Sequence, residues 1–140
     1  MTGEIALSQA SLTLAGILLL AIVTIETGGL FLVTVARGRQ PLNEFQKSFA
    51  RAGHGHAGAL VILALLCQIF ADATDQTGVW SWLSRSGVAI AAILMPAGFF
   101  FSSMGRGREQ PNGLIALVYI GATMLALGVI SLGVGLLAAA

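Results

Sequence analysis

The first long apolar stretch of the chain, residues 11–36, reads SLTLAGILLLAIVTIETGGLFLVTVA and contains one charged side chain, Glu26. About 20 consecutive, mostly apolar residues let an α-helix cross the hydrocarbon core of a bilayer. Three further stretches of this kind follow, at residues 53–72, 86–104 and 113–138. The sequence therefore predicts an all-α polytopic membrane protein, a bundle of four transmembrane helices that forms one membrane domain over residues 1–140.

The overall composition agrees with this prediction. Hydrophobic residues make up 56% of the 140 residues, charged residues make up 9%, and the formal net charge is +1. Soluble proteins carry about 25% charged residues, so the chain could not cover the surface of a soluble domain. The same numbers exclude a disordered tail and a protein that binds nucleic acid. Cys67, the single cysteine, excludes a disulfide scaffold.

The basic residues predict how the chain is oriented in the membrane. Six of the seven lie in the first and third loops, namely Arg37, Arg39, Lys47, Arg51, Arg106 and Arg108. Loops rich in Lys and Arg stay in the cytoplasm, so both termini are expected outside. We expect a multi-pass protein of the inner (plasma) membrane, with the lipid bilayer as its surroundings and no nucleic acid as a partner.

Two local patterns predict a helix start and a packing surface. Asn43 followed by Gln46 three residues later is typical of a capping box, so the second helix should begin before its apolar stretch. Gly121, Gly128 and Gly135 are seven residues apart and predict a small-residue stripe for close helix packing. This stripe and the small size of the bundle lead us to expect a homo-oligomer, or else a place in a larger membrane complex.

Glu26 is the first candidate for a functional residue. It is ten residues from Ala36, about 15 Å along a helix, which is near the midplane of a core of roughly 30 Å. A carboxylate there costs free energy unless it is paired, hydrated or protonated. Glu26 is therefore a candidate catalytic residue or proton acceptor. The alternative is a neutral carboxyl that only holds helices together. Gly28 and Gly29 beyond it permit close approach of a backbone or a ligand.

The second candidate is the segment RAGHGHAG, residues 51–58, which holds both histidines. His54 and His56 stand about 200° apart on a helix. His54 shares a polar stripe with Lys47 and Arg51, so we expect it to face the bundle interior. His56 is on an apolar face, and we expect it to face lipid headgroups or a neighbouring subunit. The alternative is two interfacial histidines at a helix end.

Together these residues predict a polar cavity that opens to the cytoplasmic half of the bundle. Glu26 and His54 are the proposed catalytic pair, about 12 Å apart in depth by helix rise and joined through water or a ligand. The cofactor-binding candidates are His54, His56, Arg51 and Tyr119, and Thr123 has a depth similar to that of Glu26. The residues do not identify a cofactor. A haem or a metal ion is among the open alternatives.

Three motifs together resemble a family of small bacterial four-helix integral membrane proteins: ETGG at 26–29, FARAGHGHAG at 49–58 and GFFF at 98–101. This resemblance implies the fold and no particular activity. Residues 54–58 also resemble the second helix of hydroxylaminobenzene mutases, which are small four-helix membrane enzymes. Arg51 and Ala52 resemble the start of the corresponding helix in the MAPEG family of trimeric, glutathione-linked membrane enzymes. Residues 57–63 hold neither the Asn nor the Glu that MAPEG members place there.

Three classes of function follow from these observations. The first is a membrane-embedded site for a ligand or redox cofactor that uses Glu26 and His54, with or without catalysis. The second is proton-coupled or ion-coupled transport in which Glu26 is the carrier. The third is an accessory or assembly subunit of a larger membrane complex. The sequence leaves open whether the protein is an enzyme.

Overall fold

The computed structural model describes residues 6–140 and consists mainly of four long α-helices. They are α1 (Gln9–Ala36), α2 (Glu44–Ala71), α3 (Gly78–Ser103) and α4 (Ala116–Ala139), with a 3-10 turn at Gly113–Ile115 before α4. Each helix is long and apolar enough to cross a membrane, and the four pack as a bundle. The all-α, four-helix prediction is confirmed. The predicted outer position of the N-terminus concerns residues 1–5, which lie outside the described residues.

The second helix begins before its apolar stretch, as predicted. α2 starts at Glu44, nine residues before Gly53. The Gln46 backbone N–H donates to the Asn43 side chain at 2.9 Å, and the Asn43 backbone N–H donates to the Gln46 side chain at 3.4 Å. This capping box satisfies backbone donors that the first turn would otherwise leave unpaired. The residues around both histidines therefore belong to one continuous helix.

The helices pack in chain order and alternate in direction, because short loops force consecutive helices to run antiparallel. α3 is the central element and packs along both α2 and α4. α1 packs on α2, and within residues 6–140 it makes no extended contact with α3 or α4. α1 and α4 are therefore the two outer helices. Only 6% of the apolar window of α1 and 11% of that of α4 are buried, against 56% for α3.

Glycines let α3 and α4 approach each other closely. A Cβ atom on Gly87 would lie 2.8 Å from the Gly128 Cα atom, and one on Gly121 would lie 2.6 Å from the Met95 side chain. A Cβ atom on Gly135 would meet Gln76 at 2.5 Å. The predicted glycine stripe of α4 thus packs helices together, but its partners belong to the same chain. It is not free to bind a second copy, so the stripe no longer supports a homo-oligomer, and the small size of the bundle is the remaining reason to expect one.

A cluster of polar residues joins α1, α2 and α3 at one end of the bundle. This cluster, called the Asp72 cluster below, consists of Ser8, Ser11, Gln68, Asp72 and Arg85. The Arg85 guanidinium donates to Asp72 at 2.5 Å, the Ser8 backbone N–H donates to Asp72 at 2.8 Å, and the Gln68 amide donates to the Arg85 carbonyl at 2.8 Å. Burial opposes ionisation of Asp72, but the hydrogen bonds from Ser8 and Arg85 outweigh it and lower its pKa to about 2.

A second set of hydrogen bonds holds the opposite end. The Gln46 side-chain amide donates to the carbonyls of Ser103 at 3.1 Å and Gly105 at 2.8 Å. The Asn43 amide donates to the Arg108 carbonyl at 2.8 Å. The start of α2 is thereby attached to the loop between α3 and α4. Because hydrogen bonds join α2 to α3 or to its adjoining loop at both ends, these bonds fix the position of the two helices relative to each other along the bundle axis.

Candidate functional site

A groove runs along the bundle between α1 and α3, with α2 as its floor. Its volume is about 570 Å³, within the range of roughly 300–1,000 Å³ that small-molecule sites occupy. The groove exists because α1 rests on α2 and does not close against α3. Its walls are mainly apolar and include Leu14, Leu18, Ile25, Ala57, Val61, Ala89, Ile90 and Ile93.

The groove is long and narrow. Its lining on α1 runs from Leu14 to Gly28, which is about 21 Å at the rise of an α-helix. Dividing the volume of about 570 Å³ by this length gives a mean cross-section of about 27 Å². Trp82 lines one end, and His54 and Phe100 line the other. A narrow apolar trench of this shape suits an extended chain better than a broad planar group.

His54 is the titratable side chain in the lining, and two glycines make room for it. A Cβ atom on Gly29 would lie 3.2 Å from His54 Cε1, and one on Gly28 would lie 3.4 Å from His54 Nδ1. The close approach predicted at these glycines is therefore that of an imidazole ring from α2. Among residues 6–140 no group forms a hydrogen bond with either ring nitrogen of His54. The ring is half-buried.

His56 lies on another side of α2 and is outside the groove lining. Its Nδ1–H donates to the Ala52 carbonyl at 2.7 Å, and its ring packs against Phe99 of α3 with a centroid distance of 4.9 Å. The prediction that the two histidines diverge agrees with these contacts. The expectation that His56 faces headgroups or another subunit stays a prediction, and the structure adds the contact of its ring with Phe99. α2 is flanked by α1 on one side and α3 on the other, so both histidines meet a neighbouring helix.

Glu26 does not share a cavity with His54. Its side chain is exposed on α1, and it is absent from the groove lining. Thr24, Ile25 and Gly28 line the groove, whereas Glu26 lies 100° beyond Ile25 and 200° from both Thr24 and Gly28 on the helix. It therefore projects from the opposite flank of α1. The structure thus does not show the predicted buried Glu–His site, because the face of α1 that packs on α2 depends on contacts between helices.

The predicted depths also change. Contacts of His54 with Gly28 and Gly29 bring His54 to within about one helical turn of Glu26 in height, and not about 12 Å away. The prediction counted the depth of His54 from Gly53, whereas α2 starts nine residues earlier, at Glu44.

The remaining candidates are dispersed. Arg51 is exposed on α2, one turn before His54 and towards the loop. Tyr119 is 68% exposed on α4 and is outside the groove lining. The Thr123 hydroxyl donates to the Tyr119 carbonyl of its own helix at 3.0 Å. Of the four cofactor-binding candidates, the structure brings only His54 into the groove.

Sequence reasoning missed three polar or amphipathic residues of the groove. Thr24 and Ser86 contribute hydroxyl groups to its walls, and Trp82 lines its far end. The two hydroxyl residues carry no signal in the sequence, because isolated Thr and Ser are common in membrane helices and bond their own backbone. From the sequence, Trp82 is only a residue of a type that is common at the membrane interface.

Between Ala6 and Ala140 no group of three or more His, Cys, Asp or Glu side chains is placed to hold a metal ion. Comparison of the chain with protein families, curated proteins and solved structures finds no match. The resemblances to hydroxylaminobenzene mutases and the MAPEG family therefore stay predictions. The four long apolar helices are those of a small polytopic membrane protein in contact with a lipid bilayer.

Proposed function

We propose that the protein binds a single-chain amphiphile from the bilayer in the groove between α1 and α3. The observation that supports this proposal is the termination of a long apolar groove at His54, whose ring nitrogens have no partner in the described part of the chain. Burying a hydrocarbon chain is worth about 25 cal/mol for each Å² removed from water. A chain that enters the groove from a bilayer leaves lipid and not water, so it gains little of this free energy. The hydrogen bond to His54 would therefore select the ligand.

The shape of the groove defines the ligand class. A cross-section of about 27 Å² over about 21 Å accommodates one extended alkyl or isoprenoid chain. The polar end of the ligand would lie at His54, where a neutral imidazole can donate or accept one hydrogen bond. Arg51, exposed one turn away, would attract a ligand with an anionic head.

Binding is better supported than proton transfer between Glu26 and His54. The carboxylate projects from the flank of α1 opposite the groove, so a ligand in the groove would meet only the histidine. An imidazole is sufficient to orient a polar head. The proposal therefore assigns His54 a binding role and assigns none to Glu26.

Photolabelling in phosphatidylcholine vesicles with a diazirine-bearing long-chain fatty alcohol tests this proposal. We expect labels on the groove-facing residues of α1 and α3. Ala21→Trp should lower that labelling several-fold, because Ala21 lines the groove and the indole would fill it. Ala59→Trp is the matched control, since Ala59 is exposed on α2 and outside the groove lining. Equal labelling in the two variants would overturn the proposal.

His54→Phe tests the polar end separately, because it keeps a ring of similar shape and removes both nitrogens. Loss of one hydrogen bond, worth about 0.5–1.5 kcal/mol, corresponds to about a twofold to tenfold weaker retention of the fatty alcohol. The protein should keep its helical content. Unchanged retention would show that the groove holds chains without recognising their heads, and the proposed role of His54 would be wrong.

A further inference from the structure

We infer that the amphiphile in the groove carries an anionic head, a phosphate or a carboxylate, which lies beyond His54 in a second cavity and pairs there with Arg106. This inference rests on the proposed function and deepens it, because it names the chemical class of the head. Three features carry it: a cavity that continues the groove, a lining without acidic side chains, and a guanidinium without a partner in the described chain.

A second cavity of about 400 Å³ adjoins the groove at its His54 end. This head cavity lies between Phe31 of α1, Ala50 of α2, Phe100 of α3 and the loop at Arg106. Phe100 lines both the groove and the head cavity, so the two spaces meet at this residue. A ligand that fills the groove can therefore extend past Phe100 without leaving the protein.

The groove and the head cavity follow the same faces of α1 and α2. On α1 the lining passes from Gly28 to Phe31, three residues and about 4.5 Å further along. On α2 it passes from His54 to Ala50, four residues and about 6 Å towards the start of the helix. Residues three or four apart share one side of a helix. The head cavity is therefore the continuation of the groove towards the loop between α1 and α2.

Gly53 fixes the position of the ring that separates the two spaces. A Cβ atom on Gly53 would lie 2.9 Å from Cε2 and 3.0 Å from Cδ2 of Phe100, so the ring rests against the backbone of α2. The lining changes across this ring. The groove has no Arg or Lys in its lining, whereas the head cavity has Arg106. A hydrocarbon chain on one side of the ring and a charged head on the other would match this change.

The other polar side chains of the head cavity are already paired. The Gln46 amide donates to the carbonyls of Ser103 at 3.1 Å and Gly105 at 2.8 Å. The Ser103 hydroxyl donates to the Phe100 carbonyl at 3.0 Å. Within the described residues, the Arg106 guanidinium is thus the polar group of the lining that can receive a ligand.

Arg106 keeps its donors free in the described part of the chain. Its guanidinium forms no hydrogen bond and no ion pair among residues 6–140, whereas the nearby Arg108 donates from Nε to the Met104 carbonyl at 2.9 Å. Glu109 and Arg106 line a separate depression of the loop, but the two side chains form no ion pair. A guanidinium presents paired N–H donors that match two oxygens of a phosphate or a carboxylate.

The charge of the lining selects the sign of the head. No Asp or Glu among residues 6–140 lines the groove or the head cavity, so no carboxylate there would hold a cation or repel an anion. An ionised head needs water or a partner, because burying an unpaired charge costs free energy. The head cavity offers both, since Arg106 lies in an exposed loop at the end of the bundle.

Photolabelling with two matched probes tests the class of the head. The probes are a long-chain alkyl phosphate and the fatty alcohol of the same chain, each with a diazirine at the same carbon, at equal density in phosphatidylcholine vesicles. We expect the phosphate probe to label the groove about fivefold more strongly, the upper end of what an exposed ion pair contributes. Added inorganic phosphate should not compete. Competition by it would assign the head cavity to a free anion and overturn the inference.

Three variants test the role of Arg106. Arg106→Gln should abolish the advantage of the phosphate probe and leave labelling by the alcohol unchanged, whereas Arg106→Lys should retain most of the advantage because it keeps the charge. Arg37→Gln is the matched control. Arg37 is exposed at the same end of the bundle and lies outside both linings, so its loss removes the same charge and should keep the advantage.

The outcomes separate this inference from the proposed function. Equal labelling by the two probes in the unaltered protein would overturn the inference and leave chain binding in the groove intact. An equal loss of the advantage in Arg37→Gln and Arg106→Gln would do the same, because it would assign the effect to the general charge of this end. Failure of both probes to label the groove would overturn the inference and the proposed function together.

Discussion

The carboxylate of Asp72 shows how one residue can join three helices. Asp72 is the residue at which α2 ends, and its carboxylate accepts from the backbone of Ser8 before α1 and pairs with Arg85 of α3. Its side chain is 6% exposed. The partners are 64 and 13 residues away along the chain, so the sequence showed only an acidic residue at the end of an apolar stretch.

Stability of the bundle should therefore fall in acid through Asp72. Its pKa of about 2 in the folded protein is below the ordinary value of about 3.9. The unfolded chain thus binds more protons between these values, and the stabilisation present above about pH 4 is lost as the pH falls towards 2. Asp72→Asn should flatten this part of the profile. Thermal unfolding in one detergent, followed by circular dichroism from pH 6 to 2, measures the effect.

The matched control for this experiment is Asp75→Asn. Asp75 is an exposed carboxylate in the same loop, and it forms no ion pair within the described chain. The variant should keep the acid transition of the unaltered protein. An equal loss of the transition in both variants would assign it to the loop as a whole and not to the Asp72 cluster.

At the scale of the element, the contact between α3 and α4 depends on glycines at one crossing point. Gly87 and Gly128 face each other, and backbone atoms occupy the space that a Cβ atom of either would need. Backbone atoms cannot rotate away as a long side chain can, so the helices must separate when a methyl group is added. The seven-residue spacing in α4 indicated such a stripe but could not show that its partner is α3 of the same chain.

Gly87→Ala should lower the free energy of unfolding by about 1–3 kcal/mol, the usual cost of overpacking a tight contact. The added Cβ atom would lie 2.8 Å from the Gly128 Cα atom and 2.9 Å from the Met124 carbonyl oxygen. Titration with a denaturing detergent measures the loss. Gly133→Ala is the control, because a Cβ atom there meets nothing within 4 Å, and it should leave stability unchanged or slightly raised. Equal destabilisation by both substitutions would contradict the proposed crossing point.

At the scale of the whole molecule, charge is distributed unequally between the two ends of the bundle. The loop before α2 and the loop before α4 hold Arg37, Arg39, Arg106 and Arg108, and the start of α2 adds Lys47 and Arg51. The opposite end holds Arg85, which is paired with Asp72. The antiparallel packing places both basic loops at the same end, as the positive-inside prediction requires.

Labelling of single cysteines measures the orientation directly. In a Cys67→Ala background, Gln40→Cys lies in the loop before α2 and Thr77→Cys in the loop before α3. A membrane-impermeant maleimide added outside intact cells should label Cys at position 77 and reach position 40 only after the membrane is opened. Labelling of both positions from outside would contradict the orientation. A protein of the reversed orientation would be labelled from outside at position 40 alone.

Much of the architecture could be predicted because it depends on interactions that are local in the chain. Four stretches of about 20 apolar residues or more require four helices in a bilayer, since a helix satisfies every backbone hydrogen bond within its own segment. The capping box at Asn43 and Gln46 is equally local and was confirmed. The direction of His54, away from His56, followed from helical phase alone. Each of these predictions needed only spacing and residue type.

The sequence by itself thus determined the class of protein, the number of helices and their order. The tertiary structure decided which flank of α1 meets α2, which heights on α1 and α2 correspond, and which polar residues lie together. Glu26 and His54 differ in surroundings for this reason. Ile25 lines the groove, whereas Glu26, about 100° further around α1, lies on the opposite flank. Helices in lipid gain little from burying one apolar face over another, so their phase and height depend on small residues and hydrogen bonds between helices. Those contacts join residues far apart in the chain, and they become visible only when the helices are packed.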